Sequence, residues 1–353
     1  MRLAFAPYRL TFKFPAGTSR GVLLSKQTYF LKYYNPDYPD RAGYGEAAVF
    51  EGLSPEWGVD FEDKLKELSR AVRQEEPIVI GQYSSIVFGF EQAVSDYENG
   101  CGGIYFPSSF ICGESSIKIN GLIWMGNHEE MQRRLLEKID AGFSCIKIKI
   151  GAIRWNEELE LLRMARELTA GRDIDLRVDA NGAFTPEDCM KRLDDLAPFG
   201  LHSIEQPLKA GSWNELSRIC RESPVPVALD EELIGIDNPE KRRELLDFVR
   251  PQYIVLKPAL CFGFSGATDW IEAARGRGIG WWLTSALESS VGLNALAQFT
   301  ATLDTRMAQG LGTGNLYTNN LESPLKLEGE RLRMTRSTKI LTDQLELLQW
   351  REY

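Results

Sequence analysis

The sequence predicts an α/β protein in which a (β/α)8 barrel follows a smaller α+β domain. Strand-like segments in the second part of the chain end in single charged residues, namely Lys149, Asp179, Glu205, Asp230 and Lys257. From Asp179 onward these residues are 25 to 27 positions apart, with a helix-like stretch in each interval. One strand and one helix of such a barrel take roughly 30 residues. The first part of the chain lacks this strand–helix repeat, which favours a separate domain there.

The α+β domain is expected over residues 1–115. Residues 1 to about 57 have the composition of antiparallel strands and include the segments RLTFKF and GVLLSKQTYFLKYY. Two helical stretches are expected after them, near 61–75 and 84–99. Their polar and apolar residues follow no βα repeat, so this region is predicted to fold apart from the barrel.

The barrel domain is expected over residues 116–319. Its strands are predicted near 119–124, 145–150, 175–180, 201–206, 226–231, 253–258, 280–285 and 307–311. Its helices are predicted near 128–141, 155–169, 186–196, 213–222, 239–248, 266–277 and 291–303. The tail 320–353 is expected to pack back on one of the two domains, with the first domain as the candidate.

Two lysines on the second predicted barrel strand point to a function. Lys147 and Lys149 alternate with isoleucines in CIKIKI (145–150), so both lysines share one face of the strand. A lysine is almost never fully buried without a partner. For this pair, a role limited to salt bridges is therefore the alternative to a catalytic one.

Three carboxylates, Asp179, Glu205 and Asp230, would meet the lysines at one mouth, because barrel enzymes place catalytic groups at the C-terminal ends of their strands. Carboxylates at short range raise each other's pKa unless a cation lies among them. All-oxygen ligands favour Mg²⁺, with Mn²⁺ as its substitute. A desolvated lysine near such an ion is expected to have a lowered pKa and to act as a general base on a proton alpha to a carboxylate.

Composition excludes several classes of function. The 353 residues carry 41 Lys+Arg and 50 Asp+Glu, a formal charge of -9, and contain no basic tract; nucleic-acid binding is therefore not expected. No run of about 18 apolar residues could span a bilayer, and the N-terminal segment lacks the apolar core of a signal peptide. The six cysteines are scattered without a CxxC pair, as in a reduced cytoplasmic protein.

An ordered set of motifs resembles the enolase superfamily in its lysine-based muconate-lactonizing-enzyme branch. The motifs are the KIK pair, DANGAF (179–184), IEQPL (204–208), ALDEEL (228–233), VLKPAL (255–260) and SALESSVGL (285–293). This resemblance implies a modified (β/α)7β barrel with an N-terminal capping domain. It also implies a role for each matched residue: metal ligands at Asp179, Glu205 and Asp230, acid/base lysines at Lys149 and Lys257, an electrostatic helper at Lys147, and neighbours of the site at Asn181 and Glu231.

Within that branch, the sequence looks most like the o-succinylbenzoate synthases. The only histidines are His128 and His202, so there is no His–Asp dyad late in the barrel. Dipeptide epimerases resemble one another in an acidic D-x-D at the end of the eighth strand, whereas the corresponding segment here, GLGTGNLY (310–317), has no charged residue. Backbone N–H groups around Gly312, with Ser285, Ser289 or Ser290, would suit a second substrate carboxylate. The resemblance implies that Lys149 takes the proton alpha to the ring carboxylate before water is lost.

The same resemblance extends to two arginines. The loop GTSRGVL (17–23) covers the pocket in capping domains of this family, which makes Arg20 a candidate anion contact. Arg177 precedes a metal ligand and is a candidate for substrate contact, although its place one layer deeper in the barrel equally suits a structural counter-ion.

Two residues and the reaction itself allow more than one interpretation. In a strand, Glu231 would point to the face opposite Asp230 and could therefore face the helices. Asn181 could simply end its strand in an Asx turn. A racemase of N-acyl or N-succinylamino acids, a dipeptide epimerase or a cycloisomerase would use the same site. A protein of another class, a non-catalytic barrel that binds an acidic metabolite or a protein, would also fit the sequence. Oligomeric state does not follow from the sequence.

Overall fold

The structure, a computed structural model, describes residues 1–18, 21–58 and 60–353. Its strands are β1 (Arg2–Thr18), β2 (Gly21–Tyr34), β3 (Ala42–Ala47), β4 (Ile117–Lys118), β5 (Gly121–Ile123), β6 (Cys145–Lys149), β7 (Asp175–Asp179), β8 (Ser203–Glu205), β9 (Val227–Leu229), β10 (Tyr253–Leu256), β11 (Gly280–Leu283), β12 (Leu325–Glu328), β13 (Arg331–Met334) and β14 (Arg351–Glu352). Its helices are α1 (Phe61–Gln74), α2 (Ser84–Glu98), α3 (His128–Asp140), α4 (Trp155–Leu168), α5 (Cys189–Leu196), α6 (Trp213–Glu222), α7 (Pro239–Val249), α8 (Gly263–Arg275), α9 (Ser290–Ala301) and α10 (Lys339–Leu345).

The N-terminal region forms an antiparallel sheet in the order β14-β1-β2-β3. Alternate side chains of its long strands, including Leu3, Phe5, Tyr29 and Leu31, pack in a core with helix α1. This α+β arrangement confirms the predicted capping domain.

The barrel consists of a seven-stranded parallel sheet in which β5 to β11 follow one another in chain order. Helices α3 to α9 lie between and after these strands. The segment around Gln309 closes the sheet, because Gln309 bridges to Ile119 and Gly310 bridges to Thr284, both in parallel fashion. The predicted (β/α)7β barrel is thereby confirmed.

The eighth predicted strand, 307–311, is reduced to those two bridges. Gly310 lies so close to the neighbouring segment that a Cβ atom built on it would be 2.2 Å from Oγ1 of Thr284. Only a glycine at position 310 lets the segment lie this close to its neighbour. With two bridges, the pairing is too short for a regular strand.

Alternation along β6 divides the barrel interior from its wall. Ile146 and Ile148 are fully buried in the apolar cluster shared with the surrounding helices, whereas Lys147 lies on the opposite, inner face and is 7% exposed. The predicted division of the strand into an apolar and a functional face is observed.

The C-terminal tail contacts both parts of the molecule. Strands β12 and β13 form a small antiparallel sheet with β4 beside the start of the barrel. Farther on, Leu341 and Leu345 of α10 pack against Phe30 and Tyr44, and β14 pairs with β1. The end of the tail thus packs on the N-terminal sheet. The domain boundaries at 115/116 and 319/320 remain predictions.

A buried carboxylate joins the two parts beside the barrel mouth. Glu46 of β3 is fully buried and accepts hydrogen bonds from the backbone N–H groups of Ser289 and Gly292, at 3.0 and 2.9 Å. These donors belong to the first turn of α9, where a negative charge is favoured by the helix dipole. The contact fixes the N-terminal sheet relative to the barrel end that carries the site.

Within the described ranges, none of the helices combines the length and the apolar character needed to cross a bilayer.

Candidate active site

A cavity with an empty volume of about 930 Å³ opens at the C-terminal ends of the barrel strands. Its polar lining consists mainly of residues that the sequence singled out: Lys147, Lys149, Asn181, Glu205, Glu231, Lys257, Ser285 and Gly312. The N-terminal domain contributes Phe50 and Leu53, which cover one side. The cavity therefore lies where barrel and capping domain meet.

The register of three neighbouring strands brings the first lysines and carboxylates together. Lys149 is paired with Asp179 across β6 and β7, and Asp179 with Glu205 across β7 and β8. Lys147 donates from Nζ to Asp179 Oδ2 at 2.9 Å and to both oxygens of Glu205 at 3.0 and 3.1 Å. The convergence predicted from spacing is present in the structure.

Lys257 approaches the site from the other side. It follows β10, and its Nζ donates to Oδ2 of Asp230, which follows β9. Lys149 belongs to β6 and donates to Asp179 Oδ2 at 2.7 Å. Strands β7, β8 and β9 lie between β6 and β10 in the sheet. Lys149 and Lys257 therefore lie on opposite sides of the three carboxylates.

Asn181 and Glu231 both turn toward the cavity. Asn181 has a left-handed backbone, with φ of 44°, and its side chain accepts from Lys149 Nζ at 2.6 Å while donating to Glu231 Oε1 at 3.0 Å. The second oxygen of Glu231 is buried and has no hydrogen-bond partner among the described residues. Of the two interpretations of Glu231, the structure supports a place in the site over one against the helices.

The pKa values of the carboxylates are shifted in different directions. Burial, followed by the charge of Asp179, raises the pKa of Glu205 well above its ordinary value. For Asp179, burial is opposed and outweighed by Lys147 and Lys149, so its pKa is lowered. Burial together with the charge of Asp230 also raises the pKa of Glu231.

The surrounding carboxylates raise the pKa of Lys147 and of Lys257, opposite to the lowering expected for a lysine beside a metal ion. Burial does lower the pKa of Lys147, but the charges of Asp179 and Glu205 outweigh it and raise the pKa above its ordinary value. At Lys257, burial likewise lowers the pKa and the charge of Asp230 raises it, and the net result is a raised pKa. Burial and a metal ion would lower these pKa values, whereas in the structure the carboxylates bind the ammonium groups directly.

The fit of these residues to a divalent cation rests on their chemistry. In the part of the chain that the structure describes, no group of three or more His, Cys, Asp or Glu side chains is arranged so that it could hold a metal ion, and Lys147 bridges Asp179 and Glu205. The donors are nevertheless all carboxylate oxygens, which suit a hard ion. Burial and the charges of Asp179 and Asp230 outweigh that of Lys147 and raise the pKa of Glu205, so the charged form of this group would be favoured by additional positive charge. A divalent cation would supply it.

Three of the expected substrate contacts, Ser289, Ser290 and Arg177, lie outside the cavity lining. Ser289 does not line the cavity; it caps α9, and its Oγ donates to Glu46 at 2.6 Å. The preceding turn, with Leu287 at φ of 60°, carries Ser289 away from the strand direction. Arg177 lies beneath the site, where it donates to the carbonyl of Ala308 at 2.9 Å and stacks 4.1 Å from the Trp282 ring.

For Arg177, neither interpretation from the sequence holds. Among the described residues it forms no ion pair, and its Nε and Nη2 atoms are buried without partners. Ser290 also points away from the cavity and donates to the carbonyl of Leu321 at 2.6 Å. Arg20 lies outside the described residues.

Several lining residues were not anticipated from the sequence. Phe50, Leu53, Asn120, Trp124 and Thr313 all face the cavity. Phe50 and Leu53 come from the N-terminal domain, whereas Asn120 and Trp124 lie in the first predicted barrel strand and Thr313 lies in GLGTGNLY (310–317). None of the five is charged, so the pattern of charged strand ends did not indicate them.

Comparison with known proteins agrees with this architecture. Residues 130–337 match the family described as Enolase C-terminal domain-like. The chain is 43% identical to an o-succinylbenzoate synthase of Desulfotalea psychrophila, over 93% of this chain and 98% of the relative. The crystal structure of MenC from the same organism superposes with a TM-score of 0.85 at 39% identity, covering 94% of this chain and 99% of the other.

A more distant structure shows the same fold. A muconate lactonizing enzyme from Pseudomonas fluorescens has a TM-score of 0.80 at 18% identity and covers 99% of this chain and 98% of its own. The chain belongs to the enolase superfamily and, within it, to the o-succinylbenzoate synthase family.

Proposed function

We propose that the protein is an o-succinylbenzoate synthase of menaquinone biosynthesis, a carbon–oxygen lyase. It removes water from 2-succinyl-6-hydroxy-2,4-cyclohexadiene-1-carboxylate. The observation that carries the proposal is the placement of Lys149 and Lys257 on opposite sides of one cavity whose floor is carboxylate. Such a layout suits removal of a proton alpha to a carboxylate.

Enolase-superfamily enzymes typically use a divalent metal ion. In this chain Asp179, Glu205 and Asp230 would hold it, and we propose Mg²⁺, with Mn²⁺ as its substitute. When bound, the ion supplies positive charge beside the substrate carboxylate.

Lys149 is proposed as the base. Its Nζ is positioned by Asn181 and Asp179 at 2.6 and 2.7 Å, and abstraction requires the neutral amine. The proton passes from the carbon to Nζ, and the hydroxyl then leaves as water with a proton returned by the ammonium of Lys149. The carbon–oxygen bond breaks as the ring becomes aromatic, so no oxidant or reductant is needed.

Lys257 and Lys147 act as cations. The raised pKa of Lys257 keeps its ammonium form at neutral pH, which stabilises negative charge on the substrate during proton abstraction. Lys147 holds Asp179 and Glu205 at fixed positions through three hydrogen bonds.

A racemase acting on N-succinylamino acids is the second candidate. Lysines on both sides of the cavity would let one remove a proton and the other return it on the opposite face. The lining residues Gly310, Gly312 and Thr313 carry no charge, which disfavours an epimerase that must hold a substrate amine.

The substrate is a small carboxylate, and we propose a cytoplasmic location. All six cysteines are free thiols, as expected in a reducing compartment.

Steady-state assays of the purified protein with both substrates test the proposal. We expect Lys149→Ala and Lys257→Ala to abolish turnover while Mg²⁺ binding, measured by calorimetry, is retained. Lys191→Ala is the matched control, because Lys191 is exposed on α5. Unchanged turnover in the two cavity variants would contradict the proposed roles of Lys149 and Lys257. Absence of turnover with either substrate in the wild type would support a non-catalytic binding protein instead.

A further inference from the structure

One buried lysine outside the barrel is not used by the proposed reaction. Lys26 lies on β2 of the capping domain, is 5% exposed, and reaches across the domain boundary. Its Nζ donates to the carbonyl oxygens of Ala286 and Leu287 at 3.2 and 3.0 Å. Both acceptors belong to residues that line the active-site cavity.

The segment that Lys26 holds has an unfavourable backbone conformation. Leu287 has φ of 60°, a region that a non-glycine residue occupies only when its surroundings impose it. The Leu287 carbonyl also accepts from Oη of Tyr317 at 2.6 Å. Two donors from different segments thus converge on one carbonyl of the cavity wall.

Two buried carboxylates balance the charge of Lys26. Burial lowers the pKa of Lys26, and the charges of Glu46 and Glu288 oppose that lowering. Glu288 accepts from the N–H of Ala286 at 2.9 Å and from Oγ of Ser285. Lys26 also lies 5.8 Å from the ring of Phe50, which covers the other side of the cavity.

These contacts tie strand β2 to the cavity wall. We propose that Lys26 is a positioning residue that fixes the wall formed by Ser285, Ala286 and Leu287, and so sets the fit of the substrate portion that lies against it. The inference rests on the proposed function for the identity of that substrate. Lys26 does not touch the reacting atoms; it acts through the backbone of residues that do line the site.

Lys32 supplies a matched control on the same strand. It is six residues from Lys26 and therefore on the same face of β2, but its Nζ pairs at 2.9 Å with Glu346, the residue after α10, away from the cavity. Lys26→Met and Lys32→Met each remove one partly or fully buried ammonium from β2. Only the first removes a contact to the cavity wall.

Hydrogen exchange tests the wall independently of catalysis. In Lys26→Met we expect amides in the peptide that covers 284–290 to exchange at least about tenfold faster than in the wild type, the factor for losing one hydrogen bond to a charged group. In Lys32→Met the same peptide should be unchanged. Equal exchange in Lys26→Met and wild type overturns the proposal.

Kinetics tests the consequence for the substrate. We expect Lys26→Met to raise KM about tenfold with kcat within about threefold, because binding fit is lost while the lysines stay in place. An unchanged KM, or an equal change in Lys32→Met, contradicts a positioning role. If Lys26→Met does not fold, Lys26→Gln replaces it, because its side chain is shorter and uncharged and so loses the charged hydrogen bonds to both carbonyls; the same changes in exchange and KM are expected. Absence of turnover in the wild type would remove the proposed function, whereas the exchange result would still decide the role of Lys26.

Discussion

The amide of Asn181 donates to the carboxylate of Glu231 across 3.0 Å. The loop after β7 is thereby joined to the turn after β9, and the same amide accepts from Lys149. A chain of three side chains thus runs across the floor of the cavity and fixes the proposed base. Its members come from segments more than 30 residues apart.

Asn181→Ala removes the acceptor that positions Lys149. We expect kcat to fall by about 10- to 100-fold with little change in KM, because the loss affects the alignment of the base more than substrate binding. Steady-state kinetics measures this. Glu231→Gln serves as the comparison, since its amide oxygen can still accept from Asn181, and a kcat loss as large as that of Asn181→Ala would contradict the positioning role.

Lys147→Met leaves Asp179 and Glu205 buried together without their shared cation. We expect a loss of about 3 to 5 kcal/mol in unfolding free energy in the presence of a chelator, the range for removing one partner of a buried ion pair. Mg²⁺ should restore more stability to the variant than to the wild type, since it would replace the missing charge. Urea unfolding with and without Mg²⁺ measures both; equal Mg²⁺ effects on the two proteins would argue against carboxylate ligation.

Asp96 predicts a pH dependence of stability away from the site. Burial outweighs four backbone N–H donors and raises its pKa to about 6. The folded state therefore binds this proton more tightly than the unfolded state, so the contribution is fully present below about pH 4 and is lost as the pH rises through about 6.

The matching variant is Asp96→Asn, which cannot titrate. Between pH 4 and 7 the wild type should lose about 2 to 3 kcal/mol relative to the variant, at about 1.4 kcal/mol for each unit of pKa. Chemical unfolding at several pH values gives the two slopes. Parallel slopes would show that Asp96 titrates normally.

The cysteines are expected to differ sharply in reactivity. Cys112 is exposed, whereas Cys145, Cys189, Cys220 and Cys261 are buried, and burial raises the pKa of Cys145 to about 11 and of the other three to about 12. Since the thiolate is the reactive form, a thiol reagent should label Cys112 first in the native protein. Cys112→Ser should abolish that fast phase; fast labelling of the buried four would contradict the structure.

Much of the site could be predicted because strand geometry is local. The alternation Lys147, Ile148, Lys149 assigns opposite faces whatever the strand packs against, and the regular spacing from Asp179 to Lys257 reflects one strand and one helix per repeat. These two properties predicted the barrel and the convergence of its charged groups.

The remaining features depend on contacts between distant segments. The raised pKa of Lys147 requires Asp179 and Glu205 at hydrogen-bond distance, whereas spacing alone indicated only a shared mouth. The placement of Ser289 on Glu46 of the capping domain, and of Lys26 on the wall of the cavity, joins residues more than 240 positions apart.

By itself, then, the sequence determined which side chains face the barrel interior and at which end they gather, because both follow from the backbone periods of strand and helix. Only the tertiary structure decided which charges pair, which serine lines the cavity and which residues of the capping domain cover it. Those outcomes depend on distances across the domain boundary and on the balance between burial and opposite charge, and neither is encoded in a local pattern.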